Sequence, residues 1–264
     1  MNIGLIIIGD EILSGKRQDK HLAQVIELLT ARGMALTWAR YLGDDRVQIT
    51  AALRDAFASA DLVFSCGGIG ATPDDHTRQC AAAALGRPLQ LHPEAHDLIL
   101  ERMRDVAAEQ GVPFEPERDD NRHRLNMGCF PEGADIIPNP YNKIPGFSVG
   151  SVFFVPGFPV MAWPMIEWVL DHRYAALHGH NAYRERSVIV FSAMESTLTP
   201  LMEDIERRFD GAKVFSLPSV DHPKWGRHIE LGVKGAFEVV DAAFDALRQG
   251  LSEQAVKTGP EMVR

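Results

Sequence analysis

The sequence predicts an α/β fold with a parallel sheet covered on both faces, followed by a smaller mixed α/β domain. Three observations carry this. Strand and helix patterns alternate from residue 3 onward, three β-α steps in succession imply a parallel sheet, and a fresh strand-helix cycle begins after about Leu177. At 264 residues the chain is long enough for a second core.

The apolar run from Ile3 to Ile8 reads as a buried strand. DKHLAQVIELLTARG then places Leu22, Val25, Ile26 and Leu29 at helical spacing, with Gly33 where a C-cap belongs. MALTWARYL (34–42) reads as strand, and DRVQITAALRDAFASA as helix with Ile49, Leu53 and Phe57 on one face. DLVFS (61–65) is a short buried strand. Residues 93–110 suit a helix, whereas EPERDDNRHR is a charged surface stretch of no readable conformation. The segment 130–160 is rich in Pro and Gly; FSVGSVFFV suggests paired strands before the helix MAWPMIEWVLDHRYAAL, with Pro164 in its first turn or two.

After the polar, turn-prone HGHNAYRE come strand SVIVFSA, helix MESTLTPLMEDIERRF, strands AKVFSLPS and RHIELGVKG, and helix AFEVVDAAFDALRQGL. KTGPEMVR reads as a frayed tail.

Composition narrows the function classes. Asp and Glu outnumber Lys and Arg by 36 to 27, a formal charge of −9 that repels polyanions and argues against nonspecific nucleic-acid binding. Cys66, Cys80 and Cys129 are too few and too scattered for a disulfide framework or a zinc knuckle, which suits reduced cytosol. The first apolar run is too short for a membrane span and runs into Gly9-Asp10-Glu11 without a basic leader or cleavage site, so it reads as a strand and not a signal.

In an open parallel sheet, the loops leaving the carboxyl ends of the strands line the ligand crevice. Three such loops carry acids: GDEILSG with Asp10 and Glu11, LGDD with Asp44 and Asp45, and GGIGATPDDHT with Asp74 and Asp75. Gly67, Gly68 and Gly70 let the backbone approach a ligand and aim N–H groups at phosphate oxygens. Acids beside a phosphate need a divalent cation between them, so a magnesium-assisted pyrophosphate site uses both features. Each part has a structural alternative: glycines that only form a turn, Asp44 or Asp45 capping the helix near Arg46, Asp74 capping before His76, and a His76 that is only a surface residue.

On GDEILSG (9–15), YLGDDRVQI (41–49), GGIGATPDDHTR (67–78), PEGADIIPNP and PGF within 131–147, and FFVPGFP (153–159), the chain resembles the CinA family (competence/damage-inducible proteins). The first domain of that family belongs to the MoaB/Mog molybdopterin-binding group. The resemblance covers nearly the whole chain. It implies a three-layer MoaB/Mog-like domain at 1–177, a KH-like α/β domain at 183–252 and a tail at 253–264. The nicotinamide-nucleotide amidase domain that full-length relatives often add is not expected here.

The resemblance further implies a molybdopterin or adenine-nucleotide ligand and metal-stimulated cleavage of a pyrophosphate such as that of ADP-ribose. Non-catalytic binding and Mog-type adenylylation of molybdopterin are the alternatives. It assigns catalysis to Asp44 and Asp75, and a cation to Asp10, Glu11, Asp74 and Asp75. Ligand and phosphate contacts fall to Ser14, Gly15, Gly67, Gly68, Gly70, Thr72, Thr77, Lys143, Pro145 and Gly146. A homo-oligomer is implied by resemblance alone.

Three stretches depart from the family pattern: Asp19-Lys20-His21 in place of Asp-Thr-Asn, Asn142-Lys143-Ile144 in place of Gly-Thr-Ala, and Pro159-Val160-Met161 in place of Pro-x-Glu. Asn142 can still take a left-handed conformation, with Lys143 either solvated or reaching a phosphate. Gly232-Val233-Lys234-Gly235 formally matches the GxxG clamp of an RNA-binding KH module, but it closes a predicted strand and reads better as a turn.

Overall fold

The computed structural model describes residues 2–179 and 183–263. The chain divides into two compact units, Met1–Ala176 and Leu177–Arg264. Part of the turn expected over 178–185 lies outside the described residues.

The first unit runs β1 (Ile3–Ile8), α1 (Asp10–Leu13), α2 (His21–Thr30), β2 (Trp38–Leu42), α3 (Arg46–Ala58), β3 (Leu62–Cys66), α4 (Thr77–Leu85), β4 (Leu89–Leu91) and α5 (Pro93–Gln110). It continues through α6 (Asp119–Leu125), β5 (Cys129–Pro131), β6 (Asp135–Ile137), β7 (Gly146–Val149), β8 (Val152–Val155) and α7 (Pro159–Arg173). One sheet has the order β2-β1-β3-β8-β7-β6. Strands β2, β1, β3 and β8 are parallel, while β7 is antiparallel to both of its neighbours, so the far edge of the sheet is mixed. Strands β4 and β5 form a separate antiparallel pair.

All six residues of β1 are buried, as a strand covered on both faces requires. On one face Ile6, Ile8, Val63 and Phe154 share a core with Ile49 and Leu53 of α3. Across the sheet, α7 buries Met165, Ile166, Val169 and Leu170 and contacts β8 and α2. These are the three layers. Phe147 stacks between Phe130 and Phe154, with centroids 4.6 and 4.3 Å apart, which ties β5 to β7 and β8. Gly4 is fixed by packing: an added Cβ would lie 2.1 Å from Cζ2 of Trp38, whose indole N–H donates to Asp61.

Several expectations are corrected. Residues 34–37 are not strand, because pairing with β1 begins at Gly4 opposite Trp38 and Met34 is used to close the turn after α2. Helix α2 buries His21, Val25, Leu28 and Leu29, and its turn carries Ile26 outward to 44% exposure. Within the charged stretch, α6 forms.

The second unit runs β9 (Tyr183–Phe191), α8 (Glu195–Arg208), β10 (Lys213–His222), β11 (Gly226–Ala236), α9 (Phe237–Glu253) and β12 (Lys257–Val263). Its antiparallel sheet has the order β10-β11-β9-β12, with Val240, Phe244, Leu247 and Leu251 of α9 fully buried. The expected frayed tail is instead strand β12, paired with β9. Gly232 to Gly235 lie within β11, where an added Cβ at Gly232 would meet the Phe215 ring at 2.4 Å, so this GxxG is a strand and not a turn or a clamp loop.

Candidate functional site

The loops after β1, β2, β3 and β8 leave the same carboxyl edge of the sheet, and the segment entering β7 reaches that edge as well because β7 runs the other way. The first two loops are latched together. The Asp10 N–H donates to Oδ2 of Asp44 at 2.9 Å, and the Asp44 N–H donates to Oδ1 of Asp10 at 3.1 Å. Gly43 makes room for the latch, since a Cβ there would lie 2.4 Å from Oδ1 of Asp10. Capping of α3 falls to Asp45, which accepts from the Gln48 N–H at 2.8 Å and leaves Asp44 for the crevice.

A depression of 630 Å³ is lined by Asp10, Glu11, Asp44 and Asp74, with Ser14 and Lys16 at its side. Burial pushes the Asp44 carboxyl above the usual carboxylate range; the Asp10 N–H opposes this, and the charges of Asp10, Glu11 and Asp74 add to it. Gly15 closes α1 in a left-handed turn with φ 72°. Among the described residues, no three His, Cys, Asp or Glu side chains are arranged to hold a metal ion.

Asp75 stands apart from this acidic group. Its Oδ2 accepts the N–H of Thr72 at 2.8 Å and the Thr72 hydroxyl at 2.6 Å, and it lines a second depression. Asp44 and Asp75, assigned together to catalysis, therefore face different depressions, and Asp75 is separated from the other three residues of the expected cation set.

The glycine-rich loop is built by close backbone approach. Gly67, at φ 106°, is buried, and a Cβ there would lie 2.3 Å from the Ile8 carbonyl oxygen. At Gly68, φ 68°, a Cβ would meet the Thr77 hydroxyl at 2.2 Å, and at Gly70 it would meet the Asp75 carboxylate at 2.5 Å. Thr77 is fully buried; its hydroxyl donates to Gly67 O at 3.0 Å and its N–H to Gly68 O at 2.9 Å. These two bonds make Thr77 a holder of the loop.

The second depression, 350 Å³, lies at the start of α4 and is lined by Arg46, Thr72, Asp75, His76, Arg78 and Gln79 among others. The acidic motifs drew attention away from Arg46 and Arg78, although Arg46 directly follows Asp44-Asp45 and Arg78 lies three residues after Asp75.

Lys143 is engaged elsewhere. Its Nζ lies 2.6 Å from both Glu101 and Asp105 on α5, so its charge is already shared between two carboxylates. Lys143, and not Asn142, takes the left-handed conformation, with φ 65°. Pro145 and Gly146 are buried at the start of β7, where a Cβ on Gly146 would lie 2.3 Å from Phe154 O, so both shape the sheet edge.

His21, where the family pattern has Asn, is 4% exposed, and its Nε2–H donates to Gly157 O at 3.0 Å, pinning the loop after β8 to α2. Asp19 accepts the first-turn N–H groups of His21 and Leu22 and the Tyr41 hydroxyl, whose pKa rises to about 12 through burial and then Asp19. Met161, in place of an acid, receives the Asn142 amide on its sulfur at 3.4 Å.

Residues 4–176 match the family model described as a probable molybdopterin binding domain. A CinA-like protein of Anaeromyxobacter dehalogenans is 33% identical over 213 residues, 77% of this chain and 49% of that protein; the chain spans about half the length of such curated relatives. A protein of Thermoplasma volcanium is 28% identical over 264 residues, covering 98% of this chain and 93% of its own. Among solved structures, the protein CinA with unknown function from Thermoplasma acidophilum is 28% identical with a TM-score of 0.53, covering 64% of this chain and 96% of that one. No helix among the described residues is long and apolar enough to cross a membrane. With its crevice at the carboxyl edge of a three-layer sheet, the chain belongs to the family of the probable molybdopterin binding domain, among its CinA-like members.

Proposed function

We propose that the first unit binds a pterin- or nucleotide-phosphate ligand at the carboxyl edge of its sheet and hydrolyses a pyrophosphate bond of the ADP-ribose type. One observation carries this reading: Asp10, Glu11, Asp44 and Asp74, from three separate loops, converge on a single depression beside the glycine-rich turn.

The donor set suits a shared cation and not a closed cage. Each acid of the latch spends one oxygen on a backbone N–H, leaving Asp10 Oδ2 and Asp44 Oδ1 without a hydrogen bond among the described residues. Magnesium is commonly held by one or two carboxylates together with the phosphates of its substrate, which Asp10 Oδ2 can provide while Asp44 Oδ1 faces the water. When bound, such a cation shields phosphate from carboxylate and supplies Lewis acidity. Asp44, pushed toward a higher pKa by burial, is suited to take the proton of a water that attacks phosphorus as the bridging P–O bond breaks. Asp10 holds Asp44 in place, and Lys16 balances charge at the wall of the depression.

A second reading, binding without turnover, is favoured by the separation of Asp75 from Asp44. Mass spectrometry of wild type and Asp44→Asn incubated with ADP-ribose, FAD, NAD and adenylylated molybdopterin, with and without Mg²⁺, separates the two. Metal-dependent AMP release by wild type alone supports hydrolysis. Ligands left intact throughout, with one retained by the protein, would favour the binding module.

A further inference from the structure

The depression at the start of α4 is chemically unlike its acidic neighbour. In a chain of net charge −9, it is lined by two arginines that make no ion pair among the described residues, Arg46 and Arg78. Arg78 is only 4% exposed. One arm of its guanidinium donates to Gly70 O at 2.6 Å and another to Asn126 O, while its Nε–H is buried without an acceptor. A buried cation whose acceptors are neutral carbonyls lacks the counter-charge that normally offsets desolvation. Asp75 is near enough to favour the charge of Arg78, yet its Oδ2 is taken by Thr72.

The backbone adds donors of the same sense. Helix α4 spans nine residues and has no side-chain cap and no acid in its first turn. The Thr77 N–H goes to Gly68 O, but the N–H groups of Arg78 and Gln79 have no acceptor among the described residues, and both residues line the depression. His76 completes the set. Arg46 lies 3.1 Å from His76 Nδ1, and because a guanidinium only donates, Nδ1 must accept and the ring proton sits on Nε2 as a further donor.

From this convergence of two arginines, His76 and the free N–H groups of α4, we infer that the depression is an anion subsite that takes a phosphoryl group of the ligand without a metal ion. The two depressions are lined by neighbouring residues of one loop, Asp74 on the acidic side and Thr72, Asp75 and His76 on this one, so the bound molecule presents one phosphate to the arginines and its reacting bond to the carboxylates. The substrate class is thereby narrowed to molecules with a phosphate outside the bond that is cleaved, or a pyrophosphate long enough to straddle the loop. This rests on the phosphate-ligand reading above but not on turnover.

The test is isothermal titration of the full chain in EDTA with inorganic phosphate and, separately, with AMP, alongside the His76 ring ¹⁵N–¹H signals. Arg46 is exposed in the first turn of α3, so Arg46→Ala is expected to fold, which circular dichroism checks. Saturable binding that shifts the His76 Nε2 signal and weakens by about tenfold or more in Arg46→Ala supports the subsite. If AMP binds and inorganic phosphate does not, the site reads the nucleotide's phosphate; if both bind, it reads the bare anion. No binding at millimolar concentration, or binding that leaves Arg46→Ala and His76 unmoved, would overturn the inference. Since cation and turnover are absent from this titration, its failure would leave the hydrolysis assay standing, and the reverse holds too.

Discussion

Thr77→Val separates a loop-holding residue from a ligand contact. The substitution keeps size and β-branching but removes the hydroxyl that donates to Gly67 O at 3.0 Å, in a site with no exposure. The Gly67 carbonyl then loses a donor with little access to water, which costs about 1–3 kcal/mol. For a unit of this size that lowers Tm by roughly 2–12 °C. Urea denaturation and calorimetry would read the loss, and Thr77→Ser, which keeps the hydroxyl, should recover most of it. If Thr77→Val were as stable as wild type and lost only ligand affinity, the structural role assigned to Thr77 would be refuted.

Phe147→Ala removes the middle ring of the Phe130, Phe147 and Phe154 stack and is expected to cost about 3–5 kcal/mol in denaturant melts. Because burial raises the Asp44 carboxyl, the folded state holds that proton more tightly than the unfolded chain does. Stability contributed by this group is present at low pH and is lost as pH rises from the ordinary carboxylate value through the raised one; Tm measured against pH should show this slope in wild type and a flatter one in Asp44→Asn. Gly43→Ala pushes a Cβ to 2.4 Å from Asp10 Oδ1, and because that oxygen can swing away, Tm should change little while ADP-ribose turnover falls.

Much of the fold was legible because buried strands advertise themselves. Ile3 to Ile8 and Val152 to Val155 are continuous apolar runs, and helix α5 follows a Pro at its first position and ends at a left-handed Gly111. Strand β12 was missed because KTGPEMV is largely exposed and contains Gly and Pro, so its strand state comes from pairing with β9 and not from its own pattern. Helix α6 was missed for a similar reason, since a short charged helix carries no apolar stripe long enough to read.

At the site, the acidic loops were visible as residues following strands, but which acid faces which depression was not. Asp75 turns back onto Thr72, and Lys143 reaches across to α5; both choices depend on partners far from the motif or on a local hydrogen bond that spacing does not encode. Arg46 and Arg78 lie inside the acidic motifs, where a basic residue beside acids reads as charge balance; the structure gives them neutral partners, His76 for Arg46 and carbonyl oxygens for Arg78, and no ion pair among the described residues.

The most direct test of the central claim is hydrogen-exchange mass spectrometry of the full chain with and without ADP-ribose and Mg²⁺. A ligand held at the carboxyl edge of the sheet should protect the amides of residues 9–15, 43–46 and 67–79, including the free N–H groups at the start of α4, and leave β9 to β12 unchanged. Protection confined to the second unit, or exchange unchanged at all three loops under saturating ligand, would contradict it.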